Sequence, residues 1–239
     1  MNGAGWAKSP AIVICTGGAL SQEAGFAPFD PQRMPPGLSL EDVVTREGFD
    51  REPARVREFY NRRRRELSQV RPGPAHEALA VLDTVRSHEV LVVTRNIDDL
   101  HERAGSQAVI HTHGELLQAR CTICTSLSER LDDIEADTAC PVCGNAGHLR
   151  PHIVWVGEEP LRMPTVYEAL VHCGLFLAIG APGDGEPARS FLAGARRADA
   201  HCVQFTRAPA GNPAPFDEHV AGPFAETVPV YVKRLIARL

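Results

Sequence analysis

The 239-residue chain predicts an α/β fold, with a Rossmann-like parallel sheet, a small zinc-binding module and a helical insertion. Short apolar, β-branched runs alternate with helical patterns, an order that is typical of strands lying parallel in one sheet. Two stretches interrupt this alternation. One is rich in proline and then in arginine, and the other contains two C-x-x-C pairs. We therefore expect one sheet that carries two insertions.

Four short apolar runs are predicted to be buried strands of the sheet. The first run, AIVICT, ends in Gly17-Gly18, which is typical of a strand that leads into a glycine turn. The predicted strands span residues 11–16, 90–94, 175–179 and 202–205. Ligands of open α/β sheets bind beyond the carboxyl ends of the strands. The functional site is expected at that edge.

The segments between the apolar runs have helical patterns, and prolines stand near several helix starts, where a missing N–H costs nothing. The predicted helices span 74–85, 164–172, 187–197 and 223–238. The predicted Rossmann-like domain is discontinuous and comprises 1–29, 73–114 and 156–239. Residues 30–72 are predicted to form the helical insertion with a cofactor loop, and 115–155 the zinc-binding module.

Four cysteines form two C-x-x-C pairs, with fifteen residues between the pairs. Each pair can offer two thiolates to one ion, and Zn²⁺ prefers four such ligands in a tetrahedron. Disulfides or free core thiols are the alternative. Four thiolates close the coordination sphere, so the predicted zinc is structural and not catalytic. The predicted metal ligands are Cys121, Cys124, Cys140 and Cys143.

Composition limits the partners that we expect. The formal net charge is −5, whereas domains that bind nucleic acid are usually basic, so we expect no nucleic-acid partner. No apolar run reaches 18 residues and no long apolar segment opens the chain, so we expect no membrane partner. The sequence thus favours a soluble cytoplasmic protein, and we expect a monomer.

Several motifs together resemble those of the sirtuins, in particular the bacterial, class III desuccinylase and deacetylase type. The resemblance covers nearly the whole chain. It runs through TGGALSQEAGFAPFD (16–30), REFYNRRRREL (57–67), TRNIDDLHERAG (94–105), VIHTHGELL (109–117), the four cysteines, LRPHIVWVGEEP (149–160) and GPFAETVPVYVKRL (222–235). Sirtuins are NAD-dependent lysine deacylases, so the resemblance implies NAD as cofactor and an acylated lysine peptide or protein as substrate.

The resemblance also implies roles for particular residues. Asn96 and Asp98 would line the nicotinamide end of the pocket, with Asp98 holding the carboxamide. His113 would be the general base, and histidine suits this role because its ordinary pKa lies near neutrality. Tyr60 and Arg63 match the Tyr-x-x-Arg of enzymes that accept succinyl or malonyl lysine, although a run of four arginines could place one there by chance.

Residues 153–158 resemble the strand that lines the acyl channel and pairs with the substrate backbone. The predicted substrate contacts in this strand are Ile153, Val154, Trp155, Val156 and Gly157. Val156 stands where the family usually has phenylalanine, which would widen the channel.

The predicted dinucleotide contacts depart from the family pattern. They comprise Gly17, Gly18, Ala19, Phe29, Asp30, Arg95, Asn96, Asp98, Gly180, Ala181 and Thr206. Gly-Ala-Gly reads Gly-Gly-Ala here, Phe-Arg reads Phe-Asp, and Gln-Asn reads Arg-Asn. The phosphate side loses donors and gains negative charge, although Asp30 and Arg95 could form an ion pair. We therefore predict an eroded NAD site, with NAD bound weakly or replaced by another ligand.

Three functions stay open on the sequence alone. The first is an NAD-dependent deacylase with a weakened cofactor site. The second is a repurposed enzyme without standard NAD use, either a hydrolase or tailoring enzyme for a small-molecule substrate or an ADP-ribosyl-type transferase. The third is a ligand sensor without catalysis.

Overall fold

The computed structural model describes residues 11–27, 34–180, 188–209 and 215–238. The strands of the described chain are β1 (Ile12–Thr16), β2 (Val90–Thr94), β3 (Val109–His111), β4 (Gly114–Cys121), β5 (Leu127–Glu129), β6 (Leu149–Ile153), β7 (Leu175–Ile179), β8 (His201–Thr206) and β9 (Glu218–Ala221). The helices are α1 (Gly18–Glu23), α2 (Leu40–Val43), α3 (Arg46–Arg51), α4 (Pro53–Ser68), α5 (Pro74–Val85), α6 (Leu100–Ala104), α7 (Met163–Leu170), α8 (Ala188–Arg197) and α9 (Phe224–Ile236).

The main sheet of the described chain is parallel throughout and has the strand order β3-β2-β1-β7-β8-β9. Alternate residues of its central strands enter two separate cores. Val13 packs with Phe176 and with Phe191 of α8 on one face. Ile14 packs with Leu79 of α5 on the other face. Because helices cover both faces, the central strands are apolar at nearly every position, as in other parallel sheets.

The helical insertion and the zinc-binding module pack against each other. The second sheet is antiparallel, with the order β5-β4-β6. From α4, Arg57 Nε donates to the carbonyl of Leu149 at 3.0 Å, and Asn61 exchanges hydrogen bonds with the backbone of Ile134. Phe49 and Trp155 meet in a third core beneath the same helix. The predicted domain boundaries stay predictions.

The predicted elements agree closely with the observed ones where patterns are long. Helix α5 has the predicted bounds, and the other three predicted helices differ by one or two residues at one or both ends. The prediction of a strand over 153–158 is wrong, because β6 ends at Ile153. The Trp155 N–H donates to the Glu158 carboxylate at 2.9 Å, and Gly157 has a φ of +88°. These contacts turn the chain where extended backbone was expected.

Gly114 fixes the backbone directly after His113. Its φ is +84°, and a Cβ at this position would lie 2.0 Å from the carbonyl oxygen of His152. Only glycine tolerates both the left-handed conformation and this close approach. The Val154 N–H also donates to the His113 carbonyl at 2.9 Å. The backbone of His113 is therefore anchored to the segment that follows β6.

Within the described residues, no helix combines the length and apolarity that crossing a membrane requires.

Candidate active site

A cavity of about 460 Å³ opens at the carboxyl ends of the central strands. Gly17 follows β1, Arg95 follows β2, and Gly180 follows β7. Each of these three adjacent strands therefore contributes to the cavity the first residue of the loop that follows it. The described lining comprises Gly17, Gly18, Ala19, Ser21, Gln22, Phe26, Ala27, Arg63, Arg95, Asn96, Ile97, Asp98, His113 and Gly180. The parallel topology thus brings together residues that lie far apart in sequence.

Asn96 and Asp98 are joined through a hydroxyl that the sequence prediction did not include. The Asn96 side-chain amide donates to Ser21 Oγ at 2.7 Å and to the Gly17 carbonyl at 3.3 Å. Burial raises the pKa of the Asp98 carboxyl, and hydrogen bonds from Ser21 and from the Leu100 N–H lower it in part. Ser21 lies in the motif TGGALSQEAGFAPFD (16–30), four residues after Gly17. Its place in this motif was the sequence signal that could have identified it as a site residue.

His111 holds the loop that carries Asn96 and Asp98. Its Nδ1 donates to the Asn96 carbonyl at 2.8 Å, and its Nε2 donates to the Glu102 carboxylate at 2.8 Å. Burial lowers the pKa of His111, but the bond to Glu102 and that to Asn96 outweigh it and raise the pKa to about 9. With both nitrogens donating, this ring is an imidazolium at neutral pH. It cannot serve as a base.

A buried hydroxyl network underlies the same loop. Thr16 Oγ1 donates to Thr94 Oγ1 at 2.8 Å and lies 3.0 Å from His101 Nε2. The Asn96 N–H donates to Thr94 Oγ1 at 3.0 Å. These contacts tie the end of β1 to the end of β2. They fix where the loop after β2 begins.

His113 differs from His111 because it is neutral. Burial, with the nearby positive charge of Arg95 as the second cause, lowers the pKa of His113 to about 4. Its Nδ1 lies 2.9 Å from Thr112 Oγ1. A neutral imidazole that lines a cavity can accept a proton from a ligand hydroxyl, as a general base does.

The glycine turn after β1 and Gly180 after β7 also line the cavity. Gly180 has a φ of +61°, and a Cβ there would lie 2.9 Å from the backbone nitrogen of Leu20. Strand β7 can therefore approach α1 closely only through a glycine. Thr206 ends β8 and lies outside the described cavity lining. Phe29, Asp30 and Ala181 lie outside the described residues. The predicted ion pair between Asp30 and Arg95 therefore lies outside them too.

Arg63 lines the cavity, and the described lining does not include Tyr60. The Tyr60 hydroxyl is fully buried, donates to the Val43 carbonyl at 2.9 Å and accepts from Trp155 Nε1 at 3.1 Å. The Arg63 guanidinium donates to Glu66 at 2.6 Å and to the Ala27 carbonyl, and it lies 4.2 Å from the centre of the Phe26 ring. The two members of the predicted pair thus have different surroundings, and their joint role stays a prediction.

The predicted substrate strand divides between core and surface. Ile153 and Trp155 are buried in the core beneath α4. Val156, by contrast, is 71% exposed, and its N–H donates to the Val44 carbonyl at 2.8 Å. Val154 is half-buried and Gly157 is exposed. The surface members stay candidates for contact with a peptide.

The four cysteines form a compact cluster that fits a zinc ion. Their sulfur atoms all lie within 4.8 Å of one another, and the Cys121–Cys143 and Cys124–Cys140 pairs are each 3.7 Å apart. A tetrahedron with Zn–S bonds of about 2.3 Å has edges of about 3.8 Å. Asn145 donates to the Cys143 sulfur at 3.3 Å, as suits a thiolate. The ion would close its sphere with four sulfurs and so supply structure, not catalysis.

Comparison with known proteins assigns the family. The model of the Sir2 family matches residues 18–187. A protein of Caulobacter vibrioides named NAD-dependent protein deacylase is 42% identical over 232 residues, which are 95% of this chain and 98% of the relative. The chain belongs to the Sir2 family.

Solved structures agree with this assignment. A Sir2 homologue in complex with NAD has a TM-score of 0.82 and 26% identity, covering 98% of this chain and 91% of that one. A Sir2 protein bound to a myristoylated histone peptide has a TM-score of 0.70 and 28% identity, covering 98% and 95% respectively.

Replacing Cys140 with serine should remove the metal and destabilise the protein, because binding energy at a structural zinc site is folding energy. We expect one zinc per wild-type chain by atomic absorption and none in Cys140→Ser, with a clearly lower melting temperature. Cys173→Ala is the control, because Cys173 is buried in the main core and its loss should leave the zinc content at one. A stable, metal-free Cys140→Ser variant would refute the structural role.

Proposed function

We propose that this protein is an NAD-dependent protein lysine deacylase. The observation that carries the proposal is a neutral His113 on the same cavity as Asn96 and Asp98. The curated relatives are named NAD-dependent protein deacylases, and a similar fold holds NAD in a solved complex. Action as a monomer in the cytoplasm, without nucleic acid, belongs to the same proposal.

The cavity residues suit the parts of such a reaction. Bound NAD would supply an electrophilic ribose carbon from which nicotinamide can leave. Asn96 and Asp98, held by Ser21 and by His111, would orient the carboxamide and keep it from rotating. His113, which is neutral at pH 7, would take a proton from a ligand hydroxyl. The low pKa of His113 keeps the ring neutral, and so able to accept a proton, well below pH 6.

An acylated lysine would enter from the side of Arg63 and Val156. The turn after β6 is exposed at Val156 and Gly157, and the solved relative with a histone peptide supports a peptide substrate. Arg63 is a cation on the cavity wall, and a guanidinium binds a carboxylate with two parallel hydrogen bonds. We therefore include succinyl-type acyl groups, with acetyl, among the proposed substrates.

The proposed dinucleotide site is weaker than in a typical member of the family. Ala19 lines the cavity where the family has a glycine, and Arg95 lines it where the family has glutamine. Asp30 supports the same proposal from sequence, because a carboxylate replaces the family's cation. Two like charges about 4 Å apart cost roughly 4 kcal/mol at an effective dielectric of 20.

His113→Ala tests the activity itself. The variant should lose NAD-dependent deacylation by roughly 10² to 10⁴, because a general base contributes about that factor. Its melting temperature should stay close to that of the wild type. His172→Ala, at an exposed position, is the control and should keep full activity. Wild-type turnover by His113→Ala would exclude this base.

Arg63→Met tests the acyl preference. We expect kcat/KM for a succinylated peptide to fall roughly 10- to 100-fold relative to an acetylated one, because a buried carboxylate would lose its charged partner. Arg62→Met is the matched control, since the neighbouring Arg62 side chain is 54% exposed. Equal losses on both peptides would show that Arg63 does not contact the acyl group.

Restoring the family's charges should tighten NAD binding. We expect the wild type to bind NAD with a dissociation constant above about 1 mM, the upper end of the usual range of KM values. In the double variant Asp30→Arg with Arg95→Gln, this dissociation constant should fall about tenfold or more. Arg86→Gln is the control, because Arg86 lies at the opposite end of β2. Low micromolar binding by the wild type would refute the weakened site. Failure of the double variant to bind would favour a different ligand.

A further inference from the structure

Thr112 lies between the end of β2 and the candidate base, and its side chain is fully buried. Its backbone N–H donates to the Thr94 carbonyl at 2.9 Å. Its hydroxyl oxygen lies 3.1 Å from that same carbonyl and 2.9 Å from His113 Nδ1. One hydroxyl thus makes two short contacts in a site that water does not reach.

The hydrogen of this hydroxyl can serve only one of the two contacts. A carbonyl oxygen can only accept, so the contact with Thr94 requires the hydroxyl hydrogen. The contact with His113 then needs a hydrogen from the ring. With the hydroxyl donating to Thr94, Nδ1 is the protonated nitrogen, which in a neutral imidazole leaves the lone pair on Nε2 free.

We infer that Thr112 is a positioning residue that fixes the tautomer of His113, with the proton on Nδ1 and Nε2 as the atom that accepts a proton. The catalytic consequence rests on the proposed deacylase function, whereas the tautomer assignment does not. Among the described residues, Thr112 is the hydrogen-bond partner that the structure gives to this ring.

The neighbouring His111 shows why the kind of acceptor matters. Glu102, a carboxylate, accepts from His111 and stabilises its positive charge. The Thr112 hydroxyl is neutral, so it can orient the His113 ring without turning it into a cation. Two histidines separated by one residue thus differ in charge, because Glu102 holds His111 as a cation whereas burial and the charge of Arg95 keep His113 neutral. Thr112 provides orientation at the position where a base is needed.

The test compares Thr112→Val, which keeps the shape but removes the hydroxyl, with Thr112→Ser, which keeps the hydroxyl. Long-range ¹H–¹⁵N spectra of the imidazole rings distinguish a protonated nitrogen from a free one, and the His113 signals are assigned by their loss in His113→Gln. Wild type and Thr112→Ser should show a protonated Nδ1. In Thr112→Val the Nε2–H form should increase. A protonated Nε2 in the wild type, or an unchanged Thr112→Val spectrum, would overturn the inference.

Kinetics add a second readout. Thr112→Val should lower kcat by roughly tenfold, in line with the loss of one hydrogen bond, with the KM values for peptide and NAD unchanged. Thr112→Ser should recover most of that loss. If Thr112→Val does not fold, the wild-type and Thr112→Ser spectra still decide the tautomer. A wild type with protonated Nδ1 but no deacylation would refute the proposed function and leave the tautomer assignment standing.

Discussion

Thr94, the last residue of β2, joins three strand ends at the candidate site. Its hydroxyl accepts from Thr16 at the end of β1 and from the Asn96 N–H. Its carbonyl accepts both the N–H and the hydroxyl of Thr112, just after β3. Because all of these groups are buried, none can exchange its partner for water without a penalty. The glycine turn, the Asn96 loop and His113 are thus linked to one another through this one residue.

The sequence allowed the parallel sheet, its helices and the zinc ligands to be predicted, because periodic apolar patterns and C-x-x-C spacing are local signals. It also allowed the residues at the strand ends to be named. It did not show that Ser21 joins Asn96 to Asp98, nor that His111 is charged while His113 is neutral. Those properties depend on which side chains meet across different strands. Contacts between residues that are distant in sequence leave no local pattern from which they could be predicted.

The turn after β6 shows a different reason for failure. Residues 153–156 are four consecutive apolar residues, as in a buried strand, but the Glu158 carboxylate accepts from the Trp155 N–H and ends the extended backbone. Tyr60 follows a family motif, and its hydroxyl bonds to Val43 and Trp155 inside the core, while its role with Arg63 stays a prediction. In both places tertiary contacts, which the sequence alone does not reveal, decide the environment.

Strand β4 links the four cysteines to the candidate base. It starts at Gly114, next to the candidate base, and it ends at Cys121, the first of the four cysteines. Its partner β6 leads into Val154, whose N–H holds the His113 carbonyl. A chain that has not bound metal lacks the anchor at the far end of this strand pair. A metal held by the four cysteines would therefore brace, from one end of β4, the strand pair whose other end fixes the backbone of His113.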